Sequence, residues 1–164
     1  MSESTGVDVA ALLDRFRRAA ATIAVAESLT GGLVTAALTD VAGASVTVRG
    51  GLVVYATDLK ATLANVPQGL LAERGPVDGD VALALARGVR ARLRATVGLG
   101  VTGVAGPDAQ DGVAVGTVFL AVSGPESETL AERQFQGGRA EIREQTVAVA
   151  LRLLERESLD LVER

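Results

Sequence analysis

The sequence contains no cysteine and no histidine, and each absence removes a class of chemistry. Without cysteine there is no disulfide, no thiolate nucleophile and no cysteine metal site. Without histidine the chain lacks the commonest general base and the commonest metal ligand. A Ser–His–Asp triad and an imidazole-bound zinc are therefore excluded. Any catalysis must use hydroxyl, amine, guanidinium or carboxylate side chains.

Aromatic side chains and positive charge are also scarce. The 164 residues include no tryptophan, one tyrosine and three phenylalanines, and the formal net charge is −4. Domains that bind nucleic acids usually present a basic face, and those that bind single strands stack the bases on aromatic rings. We therefore expect no nucleic-acid partner.

Long apolar runs are missing as well. A run such as GLVVYA has the length of a strand, well short of the roughly 20 apolar residues that span a bilayer. The N-terminal residues are acidic and polar, whereas a secretory signal begins with positive charge and an apolar stretch. We therefore expect a cytoplasmic protein without a membrane partner. The length and the 48% of hydrophobic residues suit one globular domain over residues 1–164.

Only one of the 16 basic residues is a lysine, Lys60, and the only tyrosine, Tyr55, lies five positions before it. Arginine keeps its proton at working pH, whereas a desolvated lysine can lose one and act as a base. Lys60 is therefore a candidate general base. The alternative is that a single remaining lysine stands at this position by chance.

Helical and strand-like patterns alternate through the first hundred residues. Apolar spacing predicts helices over 7–21, about 30–40, 60–64 with Asp58 as N-cap, 70–74, 80–95 and 140–156. Short apolar runs predict strands over 22–26, 46–55, 97–102, 115–122 and 128–135, and the last two are typical of an antiparallel hairpin. This order predicts an α/β fold: a three-layer α/β/α sandwich with a mixed, mostly parallel sheet plus a C-terminal β-hairpin.

A GxGxxG spacing occurs at residues 98–103. In the dinucleotide-binding fingerprint these glycines follow a strand and open a helix, so that the pyrophosphate meets the helix N-terminus. Here they fall inside a predicted strand, and a loop follows. We interpret them as small residues at a site of close packing and predict no dinucleotide cofactor.

Ser28 lies where the first predicted strand ends. Ligands of open α/β sheets bind at such strand ends, and the following amides of Thr30, Gly31 and Gly32 suit a phosphate or a developing oxyanion. A helix N-cap is an equally good interpretation of this serine. If strands 22–26 and 46–55 are neighbours, Ser28 meets Tyr55 and Lys60 at one sheet edge. A neutral Lys60, directly or through Tyr55, can then deprotonate the serine hydroxyl.

At these residues the sequence resembles the CinA C-terminal domain family, the nicotinamide-mononucleotide amidohydrolases of bacteria. The matching segments are AESLTGG (26–32), LTDVAGAS (38–45), GGLVVYATDLK (50–60), VTGVAGPD (101–108), VGTVFLAV (115–122) and GGRAEIRE (137–144). The resemblance implies an α/β/α sandwich, and its catalytic serine, tyrosine and lysine fall on Ser28, Tyr55 and Lys60. The implied reaction converts the carboxamide of nicotinamide mononucleotide to nicotinate mononucleotide and ammonia, a step of NAD recycling. It implies a nicotinamide-nucleotide amidase that needs no metal and no cofactor.

The resemblance also suggests how the nucleotide substrate is held. Thr102 and Gly106 match the family's loop motif, whose amides are candidates to contact ribose and phosphate. Arg139 and Arg143 stand four residues apart at the start of the last predicted helix, where paired guanidiniums suit a phosphate. The alternative is that both arginines are solvated or pair with nearby glutamates, Glu141 and Glu144.

Two other functions remain open at this point. One is a non-catalytic nucleotide-binding or regulatory module of the competence/damage-inducible family, although retention of the single lysine and the single tyrosine argues against it. The other is an amidase for a different small carboxamide, such as the riboside. The mean hydropathy of +0.33 also suggests a buried apolar face, and hence a homo-oligomer such as a dimer.

Overall fold

The computed structural model describes residues 5–163, and its strands form one sheet in the order β2-β1-β3-β4-β5. The strands are β1 (Ile23–Glu27), β2 (Val48–Val53), β3 (Val97–Gly103), β4 (Thr117–Ser123) and β5 (Glu128–Gln134). Strand β1 pairs in parallel with β2 and with β3, whereas β3–β4 and β4–β5 are antiparallel. The predicted mixed sheet with its C-terminal hairpin is confirmed.

Helices cover both faces of this sheet. They are α1 (Val9–Arg18), α2 (Leu33–Thr39), α3 (Thr57–Ala64), α4 (Gln68–Arg74), α5 (Gly79–Arg92) and α6 (Arg139–Val162), with a short 3-10 helix at Ala44–Val46. Between residues 5 and 163 no helix is both long and apolar enough to cross a membrane.

Strand β1 shows how the two faces are filled. Ile23 and Val25 pack into the core shared with α1, α2 and α6, whereas Ala24 and Ala26 face the core under α3, α4 and α5. Successive side chains of a strand point to opposite faces, and a central strand buried on both faces reads as one apolar run. The predicted three-layer α/β/α arrangement is confirmed.

Gly98 and Gly100 of the GxGxxG spacing lie inside β3, as predicted, against the backbone of α5. A Cβ atom on Gly100 would lie 2.7 Å from the Ala86 amide nitrogen, and one on Gly98 would lie 2.7 Å from Cβ of Arg90. Both distances are shorter than a van der Waals contact. These positions are therefore glycine because strand and helix approach closely, not because a nucleotide binds there.

Several predicted boundaries are wrong, since α1 spans only Val9–Arg18 and α5 ends at Arg92. Three others bear on the site or the core. Helix α3 begins at Thr57 after an N-cap at Ala56, so Asp58 lies in its first turn and does not cap it. Strand β2 ends at Val53, which leaves Tyr55 in the loop after the strand. Helix α6 continues to Val162 because apolar residues of its last turns, including the partly buried Leu161, still pack on the core.

Candidate active site

The parallel pairing of β1 and β2 brings their C-terminal ends to the same edge of the sheet. The chain leaves β1 at Ser28 and leaves β2 at Val54, whose amide donates to the Glu27 carbonyl at 2.8 Å. Helix α3 then starts three residues later and carries Lys60 in its first turns. As a result, Nζ of Lys60 lies 3.1 Å from Oγ of Ser28.

The amine of Lys60 is buried among oxygen atoms. Only 1% of this residue is exposed, and besides Ser28 its Nζ donates to the carbonyl of Val54 at 2.8 Å and to that of Tyr55 at 3.3 Å. No ion pair formed within residues 5–163 involves Lys60. Burial lowers the pKa of Lys60 from 10.5 to about 8, because desolvation disfavours the charged amine.

The neighbours of Lys60 determine where the hydrogens and the lone pair of its neutral amine are directed. A neutral lysine carries two hydrogens and one lone pair. The carbonyls of Val54 and Tyr55 can only accept hydrogen bonds, so they take the two hydrogens. The lone pair is then left for the hydroxyl of Ser28. The arrangement suits a serine that gives its proton to a lysine.

Tyr55 contributes its backbone, and not its phenol, to the surroundings of the Lys60 amine. The residue is 58% exposed and lies in the loop after β2. The only hydrogen bond of its hydroxyl with another described residue comes from Nη2 of Arg139, at 3.1 Å. Its backbone carbonyl, not its hydroxyl, contacts Lys60. The phenol thus lies at the surface, beside the serine–lysine pair.

A cleft of about 140 Å³ opens above these residues and is called the Ser28 cleft below. Thr102, Gly106 and Arg139 line it, as do two polar residues that the sequence analysis did not single out, Asp108 and Gln110. The remaining lining residues are Ser28, Leu29, Tyr55, Lys60, Pro76, Val77, Gly103, Val104 and Ala105. Asp108 belongs to the VTGVAGPD segment of the family resemblance, so the sequence could have indicated it as a site residue. No sequence motif indicated Gln110.

Two hydrogen bonds hold the far wall of the Ser28 cleft. The hydroxyl of Thr102 donates to the carbonyl of Pro76 at 2.7 Å, which ties β3 to the loop before α5. Nη1 of Arg139 donates to the carbonyl of Gly106 at 2.8 Å, which ties the start of α6 to the loop after β3. Arg139 therefore spans the mouth of the cleft between Tyr55 and Gly106.

The other predicted binding residues do not line the cleft. Thr30, Gly31 and Gly32 form a loop beside it, between β1 and α2, and the amide of Gly31 donates to the carbonyl of Ser28 at 3.0 Å. Gly31 and Gly32 have φ angles of +58° and +103°, which glycine adopts without steric cost. Arg143 donates to backbone carbonyls of this loop and contacts neither of the glutamates considered above.

Glu27 occupies the N-terminus of α2, a role that the sequence analysis missed. It is fully buried. One of its carboxylate oxygens accepts from the Thr30 hydroxyl at 2.6 Å and from the Val34 amide at 2.9 Å. The other accepts from the amide and the hydroxyl of Thr35, at 3.0 and 2.7 Å. An anion therefore already satisfies this helix end, so the amides at the start of α2 are not free for a substrate phosphate.

We expect Glu27→Gln to lower the free energy of unfolding by about 3 kcal/mol. The amide group of glutamine would turn two donors toward the amide of Val34 or Thr35, which would lose its acceptor in a buried site. Urea unfolding followed by circular dichroism measures the change. Glu144→Gln makes the same substitution at an exposed position and is expected to shift the value by less than about 0.5 kcal/mol. Equal effects at the two positions would contradict the importance of these four hydrogen bonds.

Comparison with known proteins identifies the family. Residues 8–158 match the sequence model of the CinA C-terminal domain. The chain belongs to this family. It is 49% identical over 136 residues to a CinA-like protein of Frankia casuarinae, covering 83% of this chain and 31% of the relative. It is 47% identical over 137 residues to a CinA-like protein of Acidobacterium capsulatum, covering 83% and 33%. The chain thus spans about a third of the length of the curated relatives it matches.

Solved structures of the CinA family share the fold. The competence/damage inducible protein CihA of Agrobacterium tumefaciens superposes with a TM-score of 0.86 at 35% sequence identity, over 93% of this chain and 92% of that one. A competence-damaged protein (CinA) superfamily protein of Escherichia coli also has a TM-score of 0.86, at 28% identity, over 92% and 87%. The α/β/α sandwich of this CinA-family chain is therefore the fold of its relatives.

Proposed function

We propose that this CinA-family chain is a serine amidase that hydrolyses the carboxamide of nicotinamide mononucleotide to nicotinate mononucleotide and ammonia. The observation that carries the proposal is the 3.1 Å contact between the Ser28 hydroxyl and the buried amine of Lys60. A serine is inert until a base removes its proton, and the lowered pKa of Lys60, about 8, makes this lysine such a base near neutral pH.

The proposed reaction proceeds in two halves. The neutral amine of Lys60 accepts the proton of Ser28 as Oγ attacks the carboxamide carbon. Lys60 then returns that proton to the departing nitrogen. Ammonia is released, and the acyl group remains bound to Ser28 as an ester. In the second half a water molecule gives its proton to Lys60 and attacks the ester, after which the proton returns to Oγ. The sum is amide plus water to carboxylic acid plus ammonia.

Backbone amides are the candidates for stabilising the oxyanion. The amide of Gly31 already donates to the Ser28 carbonyl, which weakens its candidacy. Ala105 and Gly106 line the same cleft as Ser28, and neither amide donates a backbone hydrogen bond within the described part of the chain. We therefore assign the oxyanion to these two amides, since preorganised donors stabilise the charge that develops on the oxygen.

The volume of the cleft supports a nucleotide substrate of which only the base enters the cleft. Its volume of about 140 Å³ is below the roughly 300–1,000 Å³ that encloses a whole drug-sized ligand. We propose that the pyridine ring and its carboxamide enter, while ribose and phosphate stay at the mouth. Arg139 lies there, and its hydrogen bonds to Tyr55 and Gly106 leave other N–H donors for a phosphate.

Ammonia release by the purified chain tests the proposal. We expect turnover of nicotinamide mononucleotide, and weaker turnover of nicotinamide riboside because it lacks the phosphate. Arg139→Met is expected to raise the KM for the mononucleotide by about 10–100-fold, the value of one hydrogen bond to a charged group, and to leave the KM for the riboside nearly unchanged.

Three outcomes separate the parts of this proposal. No ammonia from the mononucleotide, the riboside or free nicotinamide would contradict the amidase function. Equal use of mononucleotide and riboside by the wild-type chain would contradict recognition of the phosphate. An equal rise in KM for both substrates in Arg139→Met would assign Arg139 to the shape of the cleft mouth and not to phosphate binding.

A further inference from the structure

We infer that Arg143 is a positioning residue for the nucleophile, which it serves by holding the Ser28 loop, defined as residues 28–32, and not by binding substrate. This inference rests on the proposed serine amidase function. Nε of Arg143 donates to the carbonyl of Leu29 at 2.9 Å, and Nη2 donates to the carbonyl of Thr30 at 3.2 Å. Arg143 does not line the Ser28 cleft.

The Ser28 loop lies between two charged side chains of opposite sign. On one side the carboxylate of Glu27 accepts from the Thr30 hydroxyl and from amides at the start of α2. On the other side the guanidinium of Arg143 donates to two successive carbonyls of the loop. The Ser28 amide also donates to the carbonyl of Val101 at 3.0 Å. The residues on both sides of the nucleophile are thus fixed.

Gly31 lies beside the guanidinium of Arg143. A Cβ atom at Gly31 would lie 3.4 Å from Nη2 of Arg143, and the φ angle of +58° disfavours other residues. The planar guanidinium presents its donors as a fixed fork, which suits two neighbouring carbonyls better than the single ammonium of a lysine. The loop and the arginine are therefore complementary in shape as well as in charge.

Small shifts of a nucleophile have large kinetic effects. A displacement of about 1 Å from the reactive geometry can cost about 100-fold in rate. The contact between Ser28 and Lys60 joins the Ser28 loop to helix α3. It therefore depends on the position of the loop. If Arg143 no longer holds that loop, we expect the rate of Ser28 attack to fall while the cleft that binds substrate stays intact.

Arg139 provides a matched comparison because it stands one turn earlier on α6 and carries the same charge. It lines the cleft, whereas the side-chain hydrogen bonds of Arg143 within residues 5–163 go to the loop backbone. Arg152 is a control on the same helix, about 13 Å further along its axis. It too donates to a backbone carbonyl, that of Thr5 at 3.2 Å, but away from the Ser28 loop.

The experiment compares Arg143→Met, Arg139→Met and Arg152→Met. One readout is kcat and KM for nicotinamide mononucleotide and for the riboside. The other is the rate at which a small uncharged alkyl fluorophosphonate modifies Ser28, followed by mass spectrometry. In that reaction Oγ forms a bond to phosphorus, fluoride leaves, and the serine proton passes to Lys60. The second readout needs no carboxamide substrate.

We expect Arg143→Met to lower kcat and the rate of Ser28 phosphonylation together, by about 10–100-fold. The KM is expected to change by less than about threefold, and the loss to be the same for mononucleotide and riboside. Arg139→Met should instead act on the KM for the mononucleotide. Arg152→Met is expected to keep wild-type values for kcat, KM and phosphonylation.

Three results would overturn the inference, and a fourth would overturn only the proposed function. If Arg143→Met raises the KM for the mononucleotide alone, Arg143 binds the phosphate. If phosphonylation of Ser28 is unchanged in Arg143→Met, the loop does not depend on this arginine. If the wild-type chain hydrolyses none of the carboxamides but Ser28 is still phosphonylated, only the proposed function fails, and the phosphonylation rates decide the role of Arg143. A wild-type Ser28 that is not phosphonylated contradicts both.

Discussion

Replacement of Lys60 by arginine is expected to lower kcat/KM for ammonia release by at least about 1,000-fold, in the range of lost general-base catalysis. Arginine keeps a positive charge at this position but cannot give up a proton in a protein. The substitution therefore separates the two roles that a buried cation can have. If Lys60 acts as the base, Lys60→Arg is inactive. If Lys60 only stabilises negative charge, activity survives.

Two further variants make this result interpretable. Ser28→Ala removes the proposed nucleophile and is expected to reduce turnover at least as far. Lys60→Met fills a similar volume without an amine, so it tests whether an inactive Lys60→Arg protein is merely distorted by the larger side chain. We expect both Lys60 variants to be folded by circular dichroism, and Ser28 to resist phosphonylation in each. Turnover by Lys60→Arg would leave the reaction standing and overturn the proposed base.

The rate of the proposed reaction is expected to depend steeply on pH. Only molecules in which the amine of Lys60 is neutral can react. Burial lowers the pKa of Lys60 to about 8, so this fraction changes near neutral pH. Below pH 8 we expect kcat/KM to fall tenfold per pH unit, so that at pH 6 it is about 100-fold below its plateau above pH 9. A profile that is flat between pH 6 and pH 9 would contradict a lysine base.

The single lysine allows this pKa to be measured directly. Growth on lysine labelled with ¹³C at Cε yields one lysine signal from the whole chain, because Lys60 is the only lysine. We expect its chemical shift to titrate with a midpoint near pH 8. A midpoint near 10.5, the ordinary value, would show that the amine is hydrated and would contradict its burial.

The same pKa shift has a consequence for stability, and its sign follows from proton binding. Between pH 8 and pH 10.5 the unfolded chain holds a proton on Lys60 that the folded chain has lost. Stability rises with pH wherever the unfolded state binds more protons. The contribution of Lys60 to the free energy of unfolding therefore increases across this interval and is lost as the pH falls through 8. Lys60→Met is expected to lack this dependence.

The sequence by itself determined the layers of the fold and the chemistry that is possible in it. The apolar run that became β1 and the hairpin of β4 and β5 predicted a mixed sheet between helices, because burial on both faces leaves a continuous apolar run and burial on one face leaves an alternating pattern. The absence of histidine removed the commonest general base, and the single lysine made Lys60 the candidate for that role. On the condition that the first two strands are neighbours, the sequence predicted that Ser28 and Lys60 would meet, and the pairing of β1 with β2 fulfils that condition.

Only the tertiary structure decided which atoms surround that pair. The Tyr55 hydroxyl bonds to Arg139, 84 positions away, and Arg143 bonds to the carbonyl of Leu29, 114 positions away. No local pattern predicts such contacts, because they depend on how α6 packs over the loop after β1. The burial that lowers the pKa of Lys60 has the same origin, since desolvation of an amine is produced by every element that packs around it.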